Sequence, residues 1–100
     1  MEVSADQLKQ AAESQHGGTA TLVDALPVKE LFEGRTVWEG VVHIFDLDGH
    51  PRATRAYAWS SPVEGSDRRR FYAVLHLRGI RSPLDAVRAA IVAERRSQAR

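Results

Sequence analysis

The sequence predicts an α+β domain: a three- or four-stranded antiparallel sheet with a C-terminal helix packed on one face and a weaker N-terminal helix. Three observations predict it. Residues 36–47 place apolar side chains on both faces of an alternating run, as a central strand covered on each side requires. Asp48-Gly49 follows, and a second alternating run begins at Ala53, so the chain doubles back. Ser82-Pro83-Leu84-Asp85 then supplies a cap, a helix-compatible proline and a first-turn acid ahead of an apolar stripe.

The elements follow in order. Ser4 and Gln7 have capping-box spacing and Gly17-Gly18 is a stop, so Ala5 to His16 is helical. Only Leu8, Ala11 and Ala12 give this helix an apolar stripe. Residues 1–18 are therefore expected as a loosely docked helix and 19–100 as a single α+β domain. Thr19 to Leu26 is rich in β-branched residues until Pro27 interrupts it. Val28 to Phe32 then reads as a short edge strand or one helical turn, ended by Gly34.

Thr36 to Leu47 is the long strand, with Val37, Val41, Phe45 and Leu47 on one face and Trp38, Val42 and Ile44 on the other. A two-residue turn at Asp48-Gly49 would set Trp38 opposite Trp59, Gly40 opposite Tyr57 and Val42 opposite Arg55. The Tyr57 ring would then cover the glycine backbone. Ala53 to Ser60 returns, Ser61-Pro62 and Gly65-Ser66-Asp67 connect, and Arg69 to Arg78 forms the next strand. After Gly79 to Arg81 the closing helix buries Leu84, Val87, Ala90 and Ile91. Burial stops at Glu94, and Arg95, Arg96 and Arg100 suit the negative end of the helix dipole.

One hundred residues suit one domain. With no cysteine, disulfides, thiolate metal sites, iron–sulfur clusters and thiol nucleophiles are excluded together. No apolar run reaches the ~18 residues that cross a bilayer, and Met1 to Asp6 has no basic n-region, so no membrane association and a cytoplasmic location are expected. Residues 1–50 carry three Lys/Arg against nine Asp/Glu, whereas residues 51–100 carry eleven against four. Either the halves neutralise each other across one sheet, the preferred reading, or the second half presents a basic face to an anionic partner.

Asp46-Leu47-Asp48-Gly49 after an apolar strand resembles the first motif of haloacid dehalogenase-type phosphatases. The hairpin return from Pro51 to Trp59 opposes that fold, and turn formation explains the residues. His43, His50, His76, Asp46 and Asp48 form the conceivable set for a small metal-using enzyme. None of the histidines has ligand-pair spacing, so hydrogen-bonded strand and turn histidines are expected, with no metal ligand, cofactor or catalytic residue. There is no Gly-x-Ser-x-Gly elbow and no glycine-rich phosphate loop.

The helix–strands–helix order also resembles the double-stranded-RNA-binding domain, with Pro27 to Gly34 standing for its first helix. The lysines of that family's motif have no counterpart near Pro83-Leu84. Independently of that family, nucleic acid is the alternative partner, contacted by Arg55, Arg68, Arg69, Arg70 and Arg81. Trp38, Tyr57 and Trp59 form the candidate interaction face if exposed, and core beneath a helix if not.

Finally, Thr36 to Val42, Phe45 to Pro51 and Ala56 to Trp59 resemble a family of short uncharacterised bacterial proteins. Its marks are a Trp-Glu-Gly strand, a Gly-His-Pro turn, a Tyr-Ala-Trp strand and a closing Ser-Pro helix. The likeness covers residues 36–93; it implies a bacterial origin and no catalytic residues. The leading expectation is a noncatalytic binding or accessory protein whose partner is another protein or its own copy, as a homodimer.

Overall fold

Alternation along β3 decides the layers of this protein. The computed structural model describes residues 3–63 and 65–98. Its elements are α1 (Ala5–His16), β1 (Thr19–Phe32), β2 (Arg35–Asp48), β3 (Arg55–Pro62), β4 (Arg69–Leu75) and α2 (Pro83–Gln98). The strands form one antiparallel sheet in the order β1-β2-β3-β4. The α+β class and both helices match the sequence expectation. Residues 1–2, 99–100 and Glu64, and with them the placement of Arg100, lie outside the described residues; so do the side chains of Arg95 and Arg96.

β3 reads Ala56-Tyr57-Ala58-Trp59, small and large in turn. The alanines join Ala20, Ala73, Phe45 and Leu47 on the face that receives Leu8 and Ala12 of α1. Tyr57 and Trp59 join Val42 and Ile44 on the face that receives Ala86 and Val87 of α2. Along β3, α1 faces alanine methyl groups and α2 faces aromatic rings. Burial of such apolar area is the main term holding the layers together.

Helix α1 starts at the expected capping box: Gln7 N–H donates to Ser4 Oγ and Ser4 N–H to Gln7 Oε1. Leu8 is 2% exposed and Ala12 fully buried. Side chains fix the helix at both ends of the sheet. Glu13 accepts from Ala20 N of β1 at 2.8 Å, and His16 Nε2–H donates to the Ala73 carbonyl of β4 at 2.6 Å. On the other face Arg88 of α2 grips Glu30 of β1 with two guanidinium nitrogens, and Glu94 accepts from Tyr72 and Arg70 of β4. Among the described residues, two of the four ion pairs, Asp46–Arg55 and Glu30–Arg88, join the acidic first half to the basic second half.

Three local expectations change. Thr19 to Phe32 is one continuous strand with a bulge between Leu22 and Asp24. Pro27 does not interrupt it, because β1 is an edge strand where a missing N–H costs nothing on the open side. This overturns a helical turn at 28–32, and with it the match of Pro27 to Gly34 to an RNA-binding helix. The tight turn falls at Glu33-Gly34, whose φ values of 52° and 78° fit type I′.

Asp48-Gly49 instead opens a longer loop closed by Leu47 N–H donating to the Thr54 carbonyl at 2.8 Å. Ile44 therefore faces Tyr57 and Asp46 faces Arg55, four residues out from the two-residue-turn register. A two-residue turn would have placed Pro51 in the ladder opposite Asp46, where it has no N–H to give. The His50 ring organises the loop, Nδ1 accepting from Arg52 N and Ala53 N at 3.0 Å each. Gly18 is required beneath it: a Cβ there would lie 2.8 Å from the Asp48 carbonyl oxygen. β4 ends at Leu75, not Arg78, because the chain turns through Leu77 and Ile80.

Candidate functional site

The β1–β2 hairpin outreaches the rest of the sheet. β2 pairs with β1 along its length but with β3 only through residues 43–46. Beyond His43 the second and third strands part, and the Trp38 indole fills the opening. It lies over Gly40, meets Trp59 edge-on with ring centroids 6.1 Å apart, and donates Nε1–H to Ser61 Oγ at 2.8 Å.

Beside this wedge is a solvent-open cleft of about 590 Å³. Val3, Leu8, Val41 and Pro62 supply apolar wall, and Glu39, His43, Ser60 and Arg69 supply polar groups. The Arg69 guanidinium is braced on β3, donating from Nε to Ser60 Oγ at 2.8 Å and from Nη2 to the Ser60 carbonyl at 3.3 Å. His43 Nδ1 is shielded from solvent and has no hydrogen-bond partner among the described residues. Burial pushes the His43 pKa below its ordinary value, favouring the neutral ring.

The sheet's two outer edges differ. On β4, the Phe71 and Ala73 carbonyls accept from Gln15 and His16 of α1. On β1, the amides of Ala20, Ala25 and Leu31 donate to the carboxylates of Glu13, Asp24 and Glu30, and Pro27 has no amide hydrogen. Both edges are thus guarded against strand addition. The side chains of the hairpin are not covered. Leu22, Val23, Leu26, Leu31 and Phe32 of β1 and Val37 and Val41 of β2 are 38–54% exposed. Among the described residues only one other large apolar side chain, Val92, is comparably open.

Tyr57 and Trp59, two of the three residues of the candidate aromatic face, are each 2% exposed beneath α2 and cannot stack on a partner in this fold. Trp38 is half-buried. The candidate nucleic-acid arginines are not brought together. Arg55, at the start of β3, pairs with Asp46; Arg69 and Arg70 lie at the opposite end of the β3–β4 ladder, roughly 20 Å away at strand rise. Arg70 pairs with Glu94 and Arg69 with Ser60, whereas Arg68 and Arg81 are exposed.

Of the histidine–aspartate set only Asp46 and His76 come together, lining an open pocket with Arg55, whereas His43 and His50 lie elsewhere. His50 caps its loop, His76 Nδ1 shares a 2.6 Å hydrogen bond with the Tyr57 hydroxyl, and Asp46 pairs with Arg55. Among the described residues no cluster of three or more His, Cys, Asp or Glu is placed to hold a metal ion, and no helix is long and apolar enough to cross a membrane.

Sequence reasoning missed the cleft. Its available signal was the Trp-x-Gly spacing, which lets a ring fold back over its own strand. Comparison with family models, curated proteins and solved structures finds no match to this chain.

Proposed function

We propose that this chain is a noncatalytic binding domain that self-associates through the side-chain surface of the β1–β2 hairpin. One observation carries the reading: among the described residues, seven of the eight large apolar side chains left open lie on that single ribbon. Such concentrations mark docking surfaces. Carboxylate-capped amides and Pro27 disfavour backbone pairing, so the contact rests on side chains. The surrounding charges alternate in sign, with Asp24, Glu33 and Glu39 beside Lys29 and Arg35. Leu26, paired with Val42, and Val41 lie on opposite faces of the ribbon, so the contact embraces both sides, and a ribbon carrying both signs of charge complements a copy of itself across a two-fold axis.

Light scattering from low micromolar to several hundred micromolar concentration tests the reading. The expected result is a concentration-dependent dimer that a Leu26→Lys and Val41→Lys double variant abolishes while its circular dichroism is unchanged. A strict monomer throughout the range would refute self-association.

The nucleic-acid alternative retains one favourable observation, the exposed Arg68 and Arg69 with no carboxylate partner among the described residues. It requires binding to RNA or DNA that weakens steeply between about 50 and 200 mM salt, with a smaller slope once both arginines are replaced. No retention at low salt would end it.

A further inference from the structure

We propose that the cleft between the parted ends of β2 and β3 binds a small apolar monocarboxylate, with Arg69 receiving the carboxylate and the His43 ring lining the site. The inference goes beyond the docking surface: the cleft lies within one copy of the chain and shares only Val41 and Glu39 with that surface.

Three features point to this ligand class. The volume of about 590 Å³ is within the range of small-molecule sites, which are mostly apolar with a few placed polar groups. Val3, Leu8, Val41, Pro62 and the Trp38 indole provide the apolar lining. Arg69 has no carboxylate among its described partners, and its two bonds to Ser60 hold the guanidinium plane. A braced guanidinium is the group best shaped for a carboxylate.

Glu39, exposed in the lining of the same cleft, sets the charge. Repulsion from it disfavours dicarboxylates and phosphate esters, leaving a single negative charge.

The test titrates the intact protein with phenyl-substituted and straight-chain monocarboxylates of about four to ten carbons, matched to the cleft volume. Trp38 Nε1 and the His43 ring are followed by nuclear magnetic resonance. The expected result is saturable shifts at both groups, with a Kd on the order of 0.1–1 mM for the best acid. The corresponding alcohol and the dicarboxylate should each bind at least about tenfold more weakly, because each loses or opposes a charge-assisted contact. Arg69→Gln should weaken the acid similarly, and Glu39→Gln should strengthen it. Absence of shifts with every acid at about 10 mM, where a millimolar site would be occupied, overturns the proposal. Equal binding of acid and alcohol by the unaltered protein also overturns it, whatever the folding of the variants.

Discussion

The Trp38 indole lies across the bare backbone of Gly40, two residues along the same strand. A Cβ on Gly40 would sit 2.8 Å from Cζ2 and 2.9 Å from Cη2 of that ring. The ring is anchored by Ser61 and Trp59, so it cannot swing aside freely. Gly40→Ala should destabilise the fold by about 1–3 kcal/mol, the usual cost of overpacking. Chemical denaturation measures the loss, and a shift in tryptophan emission should accompany it.

Glu33 has φ 52° in the type I′ turn, a conformation that glycine and asparagine adopt at lower cost. Glu33→Asn should therefore raise stability by about 0.5–1 kcal/mol, and Glu33→Val should lower it by at least as much. Thermal melts of the two variants separate the outcomes; equal melting temperatures would mean the turn is not under strain.

Acid should release both helices from β1. Ala20 N–H, then Lys9, holds the Glu13 carboxyl below the ordinary carboxylate range, and Arg88 does the same for Glu30. A depressed folded pKa contributes stability that is complete above the unfolded value near 4.5 and disappears as pH falls through the folded one. Buried His43 acts in the same direction over a higher window, starting as pH drops past its unfolded value near 6.5. Melting temperature should thus fall with acidification, and Arg88→Met should melt lower at pH 7 with a shallower loss below about pH 5.

Docking of α1 is measurable through one side chain. Leu8 is 2% exposed in the alanine-lined layer, so Leu8→Ala should cost about 2–4 kcal/mol, and Ser4→Ala about 1 kcal/mol through the lost cap. A Leu8→Ala cost below about 0.5 kcal/mol, the range of surface changes, would show that the helix is as loosely held as its short apolar stripe suggests.

Periodic signals were legible and exceptions to them were not. Alternation in β2 and β3 gave the correct faces for Phe45, Leu47, Val42 and Ile44, and Ser82-Pro83 marked the start of α2. β1 was obscured because a bulge at Val23 breaks its period and Pro27 reads as a stop unless the strand is known to be an edge. The hairpin turn was misplaced because Asp48-Gly49 has stronger turn chemistry than Glu33-Gly34, while Pro51 two residues later excludes a tight return. The cleft depends on where two strands cease to pair, which no local pattern encodes. Burial of Tyr57 and Trp59 beneath a helix is what their residue types favour and what the fold shows, whereas the openness of Leu26 and Val41 had no local signal.

The offset between the second and third strands has a consequence for how this chain tolerates changes of length. An even displacement leaves every residue pointing toward its own helix, so inserting or deleting pairs of residues around His50 should be absorbed by the connection. An odd insertion within Arg55–Trp59 would instead turn the aromatic rings toward α1, into space sized for methyl groups. Between these two strands, changes of length should be tolerated only in the segment from Asp48 to Thr54.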